Sequence, residues 1–167
     1  MGKMTESNLR AAFAGESQAH VRYLIFADKA EKEGYSNVAR LFRAFSFAEL
    51  IHATNHLKDL KGIGSTSENL QAAVDGERFE MEEMYPAYKA VAELQGEKGA
   101  LRSITWAMEA EKTHFQLYDQ AKGAVASGED ADVGEVHICE VCGWTGIGEK
   151  PERCPLCGAK ASKIATF

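Results

Sequence analysis

No apolar run in this chain approaches the roughly 20 residues that span a bilayer, and Met1 to Ser7 lacks the apolar core of a signal peptide. The expectation is a protein of the cytoplasm, with no membrane partner. Clusters of Lys and Arg are missing too. The net charge is −6 with both signs interspersed, which gives nucleic acid or anionic lipid no electrostatic footprint to hold. The first 138 residues contain no cysteine; all four follow as two Cys-x-x-Cys pairs. In a reducing compartment that spacing reads as metal binding rather than disulfide formation. A chain of 167 residues has room for one ordinary core and one small module.

Four long segments carry a helical period. The first runs from about Thr5 to Glu33 and stops at Gly34. The second starts at Ser36, a good N-cap, and runs to about Lys61 before Gly62 and Gly64. The third spans about Ser67 to Gln95 as one helix kinked at Pro86. The fourth spans about Lys98 to Val125. These observations predict a mainly α fold: a helical bundle over residues 1–126, a solvated linker over 127–135, and a small metal-held β/turn domain over 136–167.

Apolar stripes should be buried, so a charge lying on one needs a reason. The stripes read Leu9, Phe13, Glu16, His20, Tyr23 in the first segment and Val38, Leu41, Phe45, Glu49, His52 in the second. They read Leu70, Val74, Glu77, Met81, Met84 in the third, with Glu80 a turn from Glu77, and Leu101, Ile104, Met108, Glu111, Phe115 in the fourth. Two interruptions are Glu-x-x-His, Glu49 with His52 and Glu111 with His114, and the three-residue step puts both side chains on one helical face. A lone Glu-x-x-His is usually a solvated face, but four aligned interruptions are not. One Glu from each of two helices plus a Glu-x-x-His from each of the others is the ligand set of a ferritin-like di-iron bundle. Unpaired, these carboxylates would each cost several kcal/mol or be driven to protonate; two ferrous ions bring the opposing charge. Oxygen-rich ligands with two imidazoles favour iron or manganese. His20 and His56 have no second ligand at a suitable step and read as structural.

Cys139-Glu-Val-Cys142-Gly and Cys154-Pro-Leu-Cys157-Gly form matching knuckles for one tetrahedral ion. A segment this short cannot bury enough core to fold alone, so the metal must supply much of its folding free energy. Zinc takes the same ligands; iron is expected, because a one-electron S4 iron centre has a use beside a redox site.

With the Gly-Glu-Ser-Gln-Ala-His run at residues 15–20, the Glu-Met-Tyr-Pro at 83–86, both Glu-x-x-His motifs and the Cys-Pro-Leu-Cys-Gly loop, the chain resembles the rubrerythrin family over essentially its whole length. The resemblance implies a ferritin-like bundle followed by a rubredoxin-like domain, and an NADH- or rubredoxin-linked enzyme that reduces hydrogen peroxide to water in oxidative-stress defence. It implies two non-heme irons on Glu16, Glu49, His52, Glu77, Glu80, Glu111 and His114, and one iron on Cys139, Cys142, Cys154 and Cys157. One di-iron metal is expected to sit by His52 when reduced and by Glu80 when oxidised. Tyr23 and Tyr85 match tyrosines that hydrogen-bond the ligating carboxylates. Electrons are expected from a rubredoxin or a rubredoxin reductase through the cysteine site. The remaining readings are a ferroxidase or oxygen-reducing di-iron protein, and a metal-storage protein with a zinc ribbon.

In the ferritin-like arrangement the second and third helices run parallel, so their connection must return along the bundle. About twelve residues follow Glu49 and about ten precede Glu77, which at ~1.5 Å per residue sets the joined ends roughly 30 Å apart. Residues 62–66 reach about 20 Å. The expectation is a homodimer that swaps its helix pairs between helices two and three; the alternative is a monomeric up-down bundle.

Overall fold

The computed structural model describes residues 1–167 as two compact units, Met1–Gly64 and Ser65–Phe167. The first is a helical hairpin of α1 (Lys3–Lys32) and α2 (Ser36–Asp59). Gly34, at φ 84°, occupies the left-handed region that turns the chain between them. Ser36 is the first residue of α2 rather than its cap: Tyr35 holds the cap position, and the Ser36 hydroxyl donates to Glu31 Oε1 at 3.0 Å. Small side chains bring the helices together, with Ala27, Ala30, Ala39, Ser46 and Ala53 all buried. His20 clamps this seam: its Nδ1 lies 2.9 Å from both the carbonyl and the hydroxyl of Ser46, whose hydroxyl donates back to the His20 carbonyl. The periodic residues Leu41 and Phe45 are each 52% exposed. A two-helix layer covers only the faces its helices turn towards each other.

The second unit opens with α3 (Thr66–Phe79), started by a capping box in which the Ser65 hydroxyl accepts from the Glu68 N–H and the Glu68 carboxylate accepts from the Ser65 N–H. The single kinked helix expected over 67–95 is instead three pieces: α3, a π turn at Glu80–Met84, and α4 (Tyr85–Gln95). Pro86, in the first turn of α4, has no N–H for the Glu82 carbonyl, and the Tyr85 N–H bonds the Glu80 carbonyl five residues back. Gly96, with φ 68°, closes α4, and α5 (Lys98–Ala126) packs against α3 and α4.

After α5, β1 (Val136–Cys139) lies between β2 (Thr145–Ile147) and β3 (Ile164–Thr166) in a small antiparallel sheet. Its register pairs His137 with Gly146 and Ile138 with Ala165. Cys139, Cys142, Cys154 and Ile164 form the buried centre, packed by Trp144, Leu156 and, from α5, Trp106. The Trp144 indole lies where a Cβ on Gly146 would stand, so residue 146 admits no side chain without moving that ring.

Candidate metal centres

In the first unit α1 contributes Glu16 and α2 contributes Glu49 and His52, with one donor atom of each within 4.8 Å of the others. His52 Nδ1 is 2.9 Å from Glu49 Oε2 and 4.0 Å from Glu16 Oε1. The hydrogen bond from His52 holds the Glu49 carboxyl below the usual range, and the hydrogen bond shared with Glu49 raises that of Glu16. Two carboxylates facing one imidazole make a cation site with a single nitrogen donor.

The second unit repeats the pattern. Glu77 of α3 meets Glu111 and His114 of α5, again with donor atoms within 4.8 Å. His114 Nδ1 lies 2.6 Å from Glu111 Oε2 and 3.9 Å from Glu77 Oε2. Burial, followed by the hydrogen bond to Glu111 and the charges of Glu111 and Glu80, pushes the Glu77 carboxyl up to about 8. Glu80 stands on the π turn outside this tight triad, yet close enough that burial and the Glu111 charge raise its carboxyl while the His114 charge opposes them. Tyr85 follows the same turn, and burial together with Glu80, Glu111 and Glu77 keeps its phenol protonated further into the alkaline range. Its ring meets Tyr88 edge-on, whereas the Tyr23 ring packs against Phe26 and Phe42.

The two histidines are held unequally. The His52 side chain is 53% exposed, whereas that of His114 is 30% exposed and bonded at both ring nitrogens, Nε2 lying 2.7 Å from Thr145 Oγ1. Nothing in the stripe pattern marked Thr145 or Ser46, because each meets its histidine across the fold, 31 and 26 residues away in sequence.

The four thiols are free and converge. Sγ of Cys139 is 3.7 Å from that of Cys157, and Sγ of Cys142 is 3.5 Å from that of Cys154. A tetrahedron with ~2.3 Å metal–sulfur bonds has sulfur edges of about 3.8 Å, so the sulfur cage already has the size of a metal site. Each knuckle closes identically, the Gly143 N–H bonding the Cys139 carbonyl at 2.8 Å and the Gly158 N–H bonding the Cys154 carbonyl at 2.9 Å. Burial raises the Cys139 thiol, but the N–H groups of Val141 and Cys142 and the neighbouring thiols outweigh it and bring it down to about 7. Burial pushes Cys142 upward. One sulfur is thus poised as thiolate, and a cation would draw the others after it.

The rubrerythrin family model matches residues 7–122, and the model of the rubrerythrin rubredoxin-like domain matches 137–164. Rubrerythrin-2 of Clostridium acetobutylicum is 43% identical over 98% of this chain and 97% of its own length. The chain belongs to the rubrerythrin family. Nigerythrin of Nitratidesulfovibrio vulgaris is 35% identical over 92% of this chain and 81% of the relative. A solved structure of fully reduced, all-ferrous nigerythrin aligns with a TM-score of 0.56 at 32% identity, covering 100% of this chain and 88% of that one. As a rubrerythrin-family member the chain is an iron-based oxidative-stress protein of the oxidoreductase class, with a rubredoxin-like four-cysteine iron site and Glu/His candidates for a di-iron site. No helix of this family member is long and apolar enough to cross a membrane.

Proposed function

We propose that the chain reduces hydrogen peroxide to water, with electrons entering at the cysteine site from a rubredoxin or an NADH-linked rubredoxin reductase. In this reading residues 1–126 form the di-iron bundle, 127–135 the linker and 136–167 the electron-entry domain. Glu16, Glu49, His52, Glu77, Glu80, Glu111 and His114 would hold two irons, and Cys139, Cys142, Cys154 and Cys157 a third. Each peroxide consumes two electrons and two protons and yields two waters; bound iron supplies the electrons.

The observation that carries the proposal is Glu80. It is a carboxylate beyond the Glu77–Glu111–His114 triad, about one helical turn on from Glu77 at the start of the π turn. A further anionic oxygen favours a ferric over a ferrous ion, so Glu80 biases its site toward the oxidised state that follows peroxide reduction. His52 is half-exposed and bonded to the Glu49 carboxylate at one nitrogen, which is consistent with its proposed part-time ligation. Tyr85, kept neutral beside the carboxylates, offers a hydroxyl to a carboxylate or peroxide oxygen, and Tyr23 is assigned the same task on its own hairpin.

The connection length between α2 and α3 supports a dimer in which each chain's hairpin completes its partner's site, with Glu16, Glu49 and His52 meeting the partner's set of the remaining ligands. The exposed Leu41 and Phe45 stripe is the apolar surface such pairing would bury.

The deciding experiment is stopped-flow absorption on reduced, iron-loaded protein mixed with peroxide or with air-saturated buffer. Fast return of the ferric–thiolate colour with peroxide and slow return with oxygen is expected. A faster response to oxygen would move the assignment to an oxygen-reducing protein. Glu80→Ala should keep its iron and lose peroxide turnover.

A further inference from the structure

His114 is bonded on both sides, and the second bond leaves the bundle. Nε2 lies 2.7 Å from the hydroxyl of Thr145, a residue of β2 in the four-cysteine domain that is 3% exposed. That hydroxyl also lies 3.2 Å from the Gly143 carbonyl. A carbonyl only accepts, so the Thr145 hydroxyl donates its hydrogen to Gly143 and turns a lone pair toward His114. The ring must then carry a hydrogen on Nε2, with Nδ1 turned toward Glu111 and Glu77.

The acceptor that fixes this polarity belongs to the cysteine knuckle. The Gly143 N–H bonds the Cys139 carbonyl at 2.8 Å, and the Cys139 N–H bonds the Trp144 carbonyl at 2.9 Å. Thr145 is therefore placed by the fold that Cys139 and Cys142 close around their metal. The bond lies beside a cavity of about 460 Å³ lined mostly by apolar residues such as Leu70, Leu117 and Val133, with Tyr118 and Asp130 its other polar side chains.

We propose that Thr145 is a positioning residue for His114: it fixes the ring's tautomer and orientation from the four-cysteine domain, so that the folded cysteine site prepares the carboxylate site to bind metal. The inference rests on the assignment of Glu77, Glu111 and His114 as metal ligands. By linkage the preparation is reciprocal, metal at His114 favouring the ordered knuckle.

The test uses full-length protein with zinc in the cysteine site and the carboxylate site emptied, titrated with cobalt(II) while the visible ligand-field bands are read. Thr145→Ala should weaken cobalt binding about 10- to 100-fold, the usual effect of losing a partner behind a ligating histidine, while Thr145→Ser, which keeps the hydroxyl, should bind like the parent. Parental binding by the alanine variant, or equal weakening in both variants, overturns the proposal, since neither depends on the hydroxyl. Absence of ligand-field bands in the parent would instead overturn the ligand assignment. A measurement without variants stands beside these: nitrogen-15 NMR of the zinc-loaded parent should show a hydrogen on His114 Nε2, and a bare Nε2 would contradict the proposal.

Discussion

At the scale of single residues, burial and acidic neighbours hold a proton on the Glu77 carboxyl well above the usual carboxyl range. The Glu77 carboxyl keeps its proton up to about 8 in the fold and titrates near 4.5 when free. Between those values the folded metal-free protein binds more protons than the unfolded one, so its stability falls as pH rises. The contribution of Glu77 is complete below 4.5 and lost by about pH 8. Urea unfolding of metal-free protein from about pH 5 to 8 should therefore show a falling midpoint, and Glu77→Gln, which cannot ionise, should show a flatter profile. An unchanged slope in the variant would place the proton elsewhere. A second buried group with two partners is His137, whose Nε2 donates to the Gly148 carbonyl at 2.7 Å and whose Nδ1 meets the Thr166 hydroxyl at 3.0 Å. Replacing it with Leu strands both partners, at about 1–3 kcal/mol. Metal loss from the cysteine site to a competing chelator should accelerate, and an unaltered rate would mean that water replaces the imidazole.

At the scale of elements, the helices and the metal-binding motifs were legible because their signals are local. Glu111 and His114 share a face by their spacing alone, and each Cys-x-x-Cys-Gly is a complete turn. The capping box is local as well; Ser65→Ala should cost about 1 kcal/mol, read as a lower melting temperature of the full chain. The π turn was only half legible. Pro86 announced a break, but nothing in its identity says whether the ladder bends, stops or widens. The widening depends on the Tyr85 N–H reaching the Glu80 carbonyl, and it shifts the residues that follow, while Glu80 itself keeps the regular bond from its N–H to the Gly76 carbonyl. Thr145 and Ser46 were illegible because no short-range pattern reports a neighbour brought in from more than twenty residues away.

At the scale of the whole molecule, the chain between α2 and α3 is short. If helix pairs exchange, a mixed dimer of Glu16→Ala and Glu111→Ala chains gathers both lesions in one site and leaves the other intact. Metal analysis should then find one full di-iron site per mixed dimer, whereas unexchanged chains would show two damaged sites.

The hydroxyl of Thr145 also limits how freely the two domains can be recombined. A rubredoxin-like domain from elsewhere, carrying an aliphatic residue at that strand position, could fold and take up its own metal after grafting onto this bundle. The His114 ring would nevertheless lose its Nε2 partner and be held at Nδ1 alone. Interchange of the domains would preserve both parts and still lose the joint between them.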